Sequence, residues 1–137
     1  MKITFFSILL MFASCSQPDD SSKLLNKEWH LELFEDVAGL PAGAHQVPQD
    51  DHYVLVMSDT AVRGVVDCNS FTGNYNLQGN RISFSNLAVT EMDCGGNTFQ
   101  PQFLSALQKA HEYSFKNGTL RIKYDNGKQL VFQTERK

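Results

Sequence analysis

The sequence predicts a mainly β domain, an antiparallel barrel or half-barrel against which a single α-helix packs. Most of the chain alternates apolar and polar residues with a period of two, in short runs separated by turn residues. One stretch instead repeats its apolar residues at helical spacing. Short strands joined by tight turns are typical of closed or sandwiched β architectures.

Tight turns define the strands. Asn117-Gly118 and Asp125-Asn126-Gly127 are strong hairpin signals, because Asn, Asp and Gly adopt positive φ more readily than other residues. They predict a three-stranded meander near the C-terminus. In chain order the predicted strands are residues 29–33, 53–57, 61–66, 75–77, 81–84, 113–115, 120–124 and 130–132.

The helical stretch covers residues 98–111, and its Phe/Leu stripe fits either core packing or the lining of a ligand cavity. Asn97 and Gln100 have the spacing of a capping box at its start. Before the second strand, residues 36–51 are rich in Gly, Pro and Ala. They predict a long loop without structure of its own, a kind of segment that often carries a function.

The first fourteen residues have the layout of a secretory signal peptide. Lys2 supplies a basic start, residues 3–12 are apolar, and residues 13 and 14 are small. A helix that spans a bilayer needs about twenty apolar residues. The shorter run here predicts a cleaved signal over residues 1–14 rather than a permanent span.

Residues 11–15 (MFASC) resemble the bacterial lipobox, in which small residues precede a cysteine that becomes the diacylated N-terminus. Phe12 stands where Leu is usual. We expect cleavage before Cys15 and a lipid anchor on it, followed by a flexible tether to residue 23 and one domain over residues 24–137. The alternative is an ordinary signal peptide that leaves an incidental thiol at Cys15.

The chain has three cysteines, so in an exported protein one cysteine is left without a disulfide partner in the same chain. If Cys15 carries lipid, Cys68 and Cys94 remain as an even pair in an oxidising compartment, where a disulfide is expected. Ser16 is not the acidic residue that retains enteric lipoproteins at the inner membrane, which favours the outer membrane. The pair Asp19-Asp20 weakly resembles a surface-export tag, so the periplasmic and surface faces both stay open.

Charge and side-chain chemistry exclude several classes of function. The net charge is −3, and no Lys/Arg cluster provides an electrostatic footprint for nucleic acid. The four histidines lie in no recognisable catalytic motif, so we predict no catalytic residues and no cofactor. Two loose groups of polar residues lack the ligand spacing of a metal site and predict solvated loops. These groups are Glu91, Asp93 and Cys94, and His45, Asp50, Asp51 and His52.

Two stretches around the cysteines are distinctive, residues 65–75 (VVDCNSFTGNY) and residues 90–94 (TEMDC). Physically, Asn69 and Gly73 would give backbone freedom where a strand turns or bulges, and Phe71 and Tyr75 would add aromatic bulk to the core. Cys68 and Cys94 would then tie this turn to the segment before the helix.

The order of these blocks resembles the META domain, the family of the HslJ-like envelope lipoproteins. Asp67 stands where that pattern usually has Gly. The resemblance implies an antiparallel, barrel-like domain with one helix, and neither a catalytic activity nor a settled ligand. The matching residues are Trp29, Leu31, Cys68, Asn69, Phe71, Gly73, Tyr75, Thr90, Met92, Cys94, Phe103 and Leu107.

The favoured function is therefore a non-enzymatic, membrane-anchored lipoprotein of the cell envelope that serves in a stress response or in envelope maintenance. It would act by contact with an envelope protein or a small ligand. The alternative is a barrel that carries a small apolar ligand, which requires an apolar pocket of a few hundred Å³ among the inward-facing residues.

Overall fold

A computed structural model describes residues 20–35, 44–46, 52–95 and 99–134. In these ranges a 3₁₀ helix (Asp20–Lys23) precedes nine strands and one α-helix. The strands are β1 (Trp29–Glu35), β2 (Ala44–Gln46), β3 (Tyr53–Ser58), β4 (Ala61–Val66), β5 (Asn69–Gln78), β6 (Arg81–Val89), β7 (Glu112–Lys116), β8 (Thr119–Tyr124) and β9 (Lys128–Gln133), and the helix is α1 (Gln100–Gln108).

The strands form one antiparallel sheet that closes on itself. From β3 to β9 each strand pairs with the next one in the chain, and β1 joins the two ends of this series. Trp29 of β1 is in register with Leu55 of β3, and Leu31 is in register with Phe132 of β9. Eight strands thus close the ring and β2 extends the sheet beside β1, which confirms the predicted barrel-like fold.

Successive turns of an antiparallel barrel alternate between its two ends. The turns at 59–60, 79–80 and 117–118 lie at one end, which we call the N-terminal end because the chain enters the barrel there. At this entry the Asn26 amide donates to the Met57 carbonyl at 2.8 Å. The turns at 67–68 and 125–127 lie at the opposite end, which we call the disulfide end.

The interior is filled by apolar side chains from every side of the ring. Phe103 of α1 is fully buried, and its ring contacts Tyr53, Phe71 and Phe132 from three different strands, with centroids 5.4 to 6.4 Å apart. Each such aromatic pair adds about 0.5–1.5 kcal/mol beyond the burial of its area. The helical Phe/Leu stripe is therefore used for core packing. The largest fully buried side chains are Trp29, Phe71, Phe103, Phe132, Leu24, Leu55, Met57, Ile82, Leu107, Leu120, Ile122 and Leu130.

The helix begins later than the sequence predicts. Its first residue is Gln100, and Phe99 occupies the N-cap position without a side-chain cap hydrogen bond. The hydroxyl of Tyr53 accepts the Phe99 amide at 3.0 Å. The predicted capping box is thus wrong for Gln100, whose side chain bonds elsewhere, and Asn97 lies outside the described residues.

The prediction of a structureless loop over residues 36–51 is also wrong in part. Strand β2 lies inside it and pairs with the end of β1, with His45 in register with Phe34. A strand of three residues is too short to show an alternating pattern.

The sheet is weakest between β6 and β7. One register pair, Arg81 with Glu112, joins these strands, flanked by two further backbone hydrogen bonds. Glu112 also accepts a hydrogen bond from Lys123 of β8. This bond, and then the charge of Lys123, lowers the pKa of the Glu112 carboxyl.

Candidate functional site

The parts of the two distinctive stretches that contain Cys68 and Cys94 meet at the disulfide end, where the β4–β5 turn lies against the segment that follows β6. Cys68 and Cys94 form a disulfide across this junction, as the sequence predicts, with their Cα atoms 5.4 Å apart. The Cys68 amide also approaches the Cys94 sulfur at 3.2 Å. We call residues 67–70 and 90–94 together the disulfide knot.

Asn69 organises the disulfide knot. It is the buried polar side chain of the described residues, with 3% of its surface exposed. Its Oδ1 accepts the Met92 amide at 2.7 Å, and its Nδ2 donates to the Met92 carbonyl at 3.1 Å. One side-chain amide therefore holds both backbone polar groups of a single residue.

The same amide joins two further elements. Asn69 Oδ1 accepts the Thr90 hydroxyl at 2.8 Å, while its Nδ2 donates to Gln100 Oε1 of α1 at 2.8 Å. Thr90 in turn accepts the Ser70 amide at 3.1 Å. The amide is thus saturated with partners, as a buried polar group must be to avoid a desolvation penalty. Because of the Thr-x-Met-x-Cys spacing, Thr90 and Met92 contact Asn69 and Cys94 contacts Cys68, all from the single segment 90–94.

The structure corrects the role that the sequence suggests for Asn69. Among the residues described, positive φ at this turn belongs to Asp67 (57°), while Asn69 begins β5 and acts through its side chain. Asp67 therefore takes the left-handed conformation at the position where the family pattern has Gly.

Gly73 also differs from its expected role. The bulge lies in β6, where Asn86 has a φ of 53° and the register shifts opposite Gly73. A Cβ on Gly73 would lie 2.6 Å from Leu87 Cδ2 and 2.9 Å from the Ser85 carbonyl oxygen. Gly73 is required because β6 approaches it closely.

The aromatic motif residues lie in the core, as predicted. Phe71 and Tyr75 are both buried along the inner face of β5. The Tyr75 hydroxyl reaches the N-terminal end and donates to the Asp59 carbonyl. Burial, and then the charge of Asp59, raises the pKa of Tyr75.

Trp29 and Leu31 belong to the core of the N-terminal end rather than to the disulfide knot. Both are buried, and Trp29 Nε1 donates to the Leu24 carbonyl at 2.9 Å. The Trp29 ring meets Phe115 edge to face at 5.8 Å. This part of the motif fastens the entering chain to the barrel.

The knot presents an apolar side chain amid acidic groups. Met92 is 60% exposed, and it and Val65 are the large hydrophobic residues exposed in the described ranges. Asp67, Glu91 and Asp93 lie beside them in the chain, and no described Lys or Arg pairs with these carboxylates. With the backbone of Met92 already bonded, this surface offers side-chain contacts rather than main-chain ones.

Several sequence hypotheses can be compared with this geometry. Within the described residues, no group of three or more His, Cys, Asp or Glu side chains could hold a metal ion. The disulfide occupies both Cys68 and Cys94, so neither is a thiolate nucleophile in this structure. Cys15, Asp50 and Asp51 lie outside the described residues, and the structure describes the backbone but not the side chain of His45.

Clefts open at the surface of the barrel, and their linings include buried core residues such as Phe34, Ile82 and Tyr75. Three of them, with volumes of about 230, 330 and 320 Å³, are lined in part by exposed polar residues such as Arg81, Lys109 and Asp59. Because exposed polar residues share each lining, these clefts differ from the wholly apolar inner pocket that the carrier hypothesis requires. In the part of the chain that the structure describes, no helix has the length and apolarity to cross a membrane.

Comparisons with known proteins agree with the fold. A protein from Burkholderia xenovorans, solved by NMR, is similar over 88% of this chain and 90% of its own, with a TM-score of 0.69 and 23% identity. A DUF4847 family protein from Bacteroides vulgatus is similar over 85% of this chain and 97% of its own, with a TM-score of 0.60 and 11% identity. No curated protein matches the chain.

The model of the META domain matches residues 22–137, which include the whole barrel and the disulfide knot. The chain belongs to the META domain family.

Proposed function

We propose that the protein is a non-enzymatic lipoprotein of the bacterial cell envelope whose META domain is an interaction module in stress response or envelope maintenance. The observation that carries this proposal is the Cys68–Cys94 disulfide. Disulfides persist in oxidising compartments such as the periplasm and the cell surface. A disulfide in the fold therefore supports export, which the signal-like residues 1–14 and the lipobox-like residues 11–15 also indicate.

The position of the chain entry supports an anchor at residue 15. Asp20 begins the described chain at the N-terminal end, where Leu25 bridges Met57 of β3. Five Cα–Cα steps lead from Cys15 to Asp20 and span at most about 18 Å. An anchor on Cys15 would hold the N-terminal end close to the membrane and turn the disulfide knot away from it.

The chemistry of the knot supports an interaction role rather than catalysis. Its buried amide is saturated by structural hydrogen bonds, and its cysteines are bonded to each other. What it offers to solvent is the Met92 side chain with neighbouring carboxylates. Such a surface can bind a partner but lacks a paired nucleophile and base.

Lipid labelling tests the anchor. Cells that express the full chain would be grown with an alkyne-bearing fatty acid, and the purified protein would be analysed by mass spectrometry of its N-terminus. We expect a diacylated Cys15 and membrane recovery for the wild type, and loss of both in Cys15→Ala. Cys68→Ser is the matched control and should keep the label. An unmodified Cys15 in the mature wild type would refute the lipoprotein assignment.

A deletion strain tests the envelope role. We expect greater sensitivity to heat and to detergent than in the parent strain, with rescue by the wild type and not by Cys15→Ala. Equal survival of the deletion and parent strains under both treatments would contradict the stress and maintenance role.

A further inference from the structure

Met92 is an exposed apolar side chain on a backbone that is fixed. Its amide and carbonyl are both bonded to Asn69, and the disulfide holds the chain two residues later at Cys94. A residue on a loose loop loses backbone conformational entropy when it binds a partner. A residue whose backbone is already fixed loses less. Met92 is therefore preorganised for contact.

The surroundings of Met92 extend this contact surface. Val65 on β4 faces solvent opposite Ser70, and the Ser70 carbonyl accepts the Thr90 amide at 3.0 Å. Val65, Ser70 and Thr90 are thus exposed on three neighbouring segments, and Thr90 precedes Met92 by two residues. We call Val65, Asp67, Glu91, Met92 and Asp93 the knot patch.

The charge of the knot patch selects its partner. Its three carboxylates have no described Lys or Arg partner, so they are available to a basic surface. An anionic membrane would be repelled by the same carboxylates. With the proposed anchor on Cys15, the membrane would also lie at the opposite end of the barrel from the knot patch, because β4 runs between the two ends.

We propose that the knot patch is a docking surface for a protein segment that carries an apolar pocket or side chain flanked by Lys or Arg. The apolar contact centres on Met92, and the carboxylates of Asp67, Glu91 and Asp93 form a charged rim that steers and orients the partner. This inference rests on the proposed interaction role and adds its site and the chemistry of its partner.

A random 12-residue peptide library, panned on the purified full chain in detergent, tests the proposal. Enriched peptides should combine apolar residues with Lys or Arg. A synthetic peptide of the enriched class should bind Met92→Ser at least about tenfold more weakly, as expected for the central residue of an interface. Thermal melting of Met92→Ser should match the wild type, because the side chain is exposed.

The charged rim has a matched control in the same fold. Asp67 and Asp59 each stand first in a two-residue hairpin turn with positive φ, 57° and 52°, at opposite ends of the barrel. The triple variant D67N/E91Q/D93N should bind the peptide about tenfold more weakly and with a shallower dependence on salt. Asp59→Asn should leave the affinity unchanged.

The proposal is overturned if no peptide class is enriched, if the enriched class lacks basic residues, or if binding survives both Met92→Ser and the triple variant. Binding of the Cys15→Ala chain to anionic vesicles that is stronger than its binding to the peptide would also overturn it. The Cys15→Ala chain carries no lipid, so this comparison is independent of the anchor. If the mature wild type has an unmodified Cys15 but binds the peptide through Met92, the proposed anchor is refuted and the docking surface stands.

Discussion

The hydrogen-bond partners of the Asn69 side chain all lie more than twenty residues away in the chain, in residues 90–94 after β6 and on α1. The side chain therefore closes a tertiary junction instead of a local turn. Without the amide, Thr90, the Met92 backbone and Gln100 each lose a hydrogen-bond partner. A group that water can reach bonds to water instead, whereas a group shielded from water stays unpaired and costs free energy.

Asn69→Ala should lower the free energy of unfolding by about 2–4 kcal/mol, the range for loss of a buried hydrogen-bond network. Urea titration under oxidising conditions measures this change. Asn74→Ala is the control on the same strand, because Asn74 is exposed and bonds to the exposed Asn86. It should cost less than about 1 kcal/mol, and equal losses in the two variants would contradict the role given to Asn69.

Tyr75 links stability to alkaline pH. Burial raises the pKa of its hydroxyl in the folded state, so the folded protein holds this proton at pH values where the unfolded chain releases it. The resulting stability is complete below the unfolded pKa of about 10 and is lost as the pH rises from there through the folded pKa.

Tyr75→Phe removes both the titration and the hydrogen bond to the Asp59 carbonyl. The variant should be less stable than the wild type by about 1 kcal/mol at neutral pH. The difference should shrink above pH 10, because only the wild type loses the contribution of Tyr75 there. Denaturant titrations at pH 7 and between pH 10 and 11 measure this, and a gap that widens with pH would reverse the sign and refute the account.

At the scale of elements, the disulfide closes a loop that contains β5 and β6. The bonded cysteines are 26 residues apart. On the chain-entropy model, a cross-link of this span stabilises the fold by about 3–4 kcal/mol.

The double variant C68S/C94S should therefore unfold about 3–4 kcal/mol more easily than the wild type. Cys15→Ser is the matched control, since it changes a cysteine outside the described barrel and should leave the denaturation midpoint unchanged. A dithiol reductant should shift the wild type to the midpoint of the double variant. A wild type that ignores the reductant would show that the disulfide does not contribute to stability.

Local chemistry decided which elements the sequence could predict. The turns at Asn117-Gly118 and Asp125-Asn126-Gly127 have positive φ at every residue, so their residue types alone reveal them. The start of α1 could not be predicted in this way. The amide of its N-cap residue, Phe99, donates to the hydroxyl of Tyr53. The position of Tyr53 relative to Phe99 follows from the closed barrel and not from nearby sequence.

The features of the candidate site also differ in whether the local sequence could predict them. The pairing of Cys68 with Cys94 followed from cysteine counting and compartment, which need no geometry. The exposure of Met92 and the saturation of Asn69 depend on how two distant segments meet. Methionine and asparagine both have many ordinary structural roles, so the sequence around Met92 or Asn69 does not by itself indicate this arrangement.

At the scale of the whole molecule, the barrel has a narrow seam between β6 and β7. The Ile82 amide reaches the His111 carbonyl at 3.3 Å, and the Tyr113 amide reaches the Asn80 carbonyl at 2.8 Å. By contrast, six register pairs join β4 to β5. Local opening should therefore begin at the seam, because fewer hydrogen bonds have to break there.

Hydrogen exchange measured by NMR tests this expectation. The amides of Ile82 and Tyr113 should have protection at least about tenfold lower than the bonded amides of the β4–β5 ladder. Identical protection across both sets would mean that the barrel opens only by global unfolding.

The pairing of β1 with β9 has a consequence for biogenesis. Leu31 meets Phe132, so one edge of β1 waits for a partner roughly 100 residues later, a separation of the kind that slows folding. During the proposed export, β1 would leave the translocation channel long before β9. Until then its edge stays open to other chains, as unpaired strand edges are. A chaperone that shields this edge of β1 would therefore raise the yield of folded protein, and β9 would displace it on pairing.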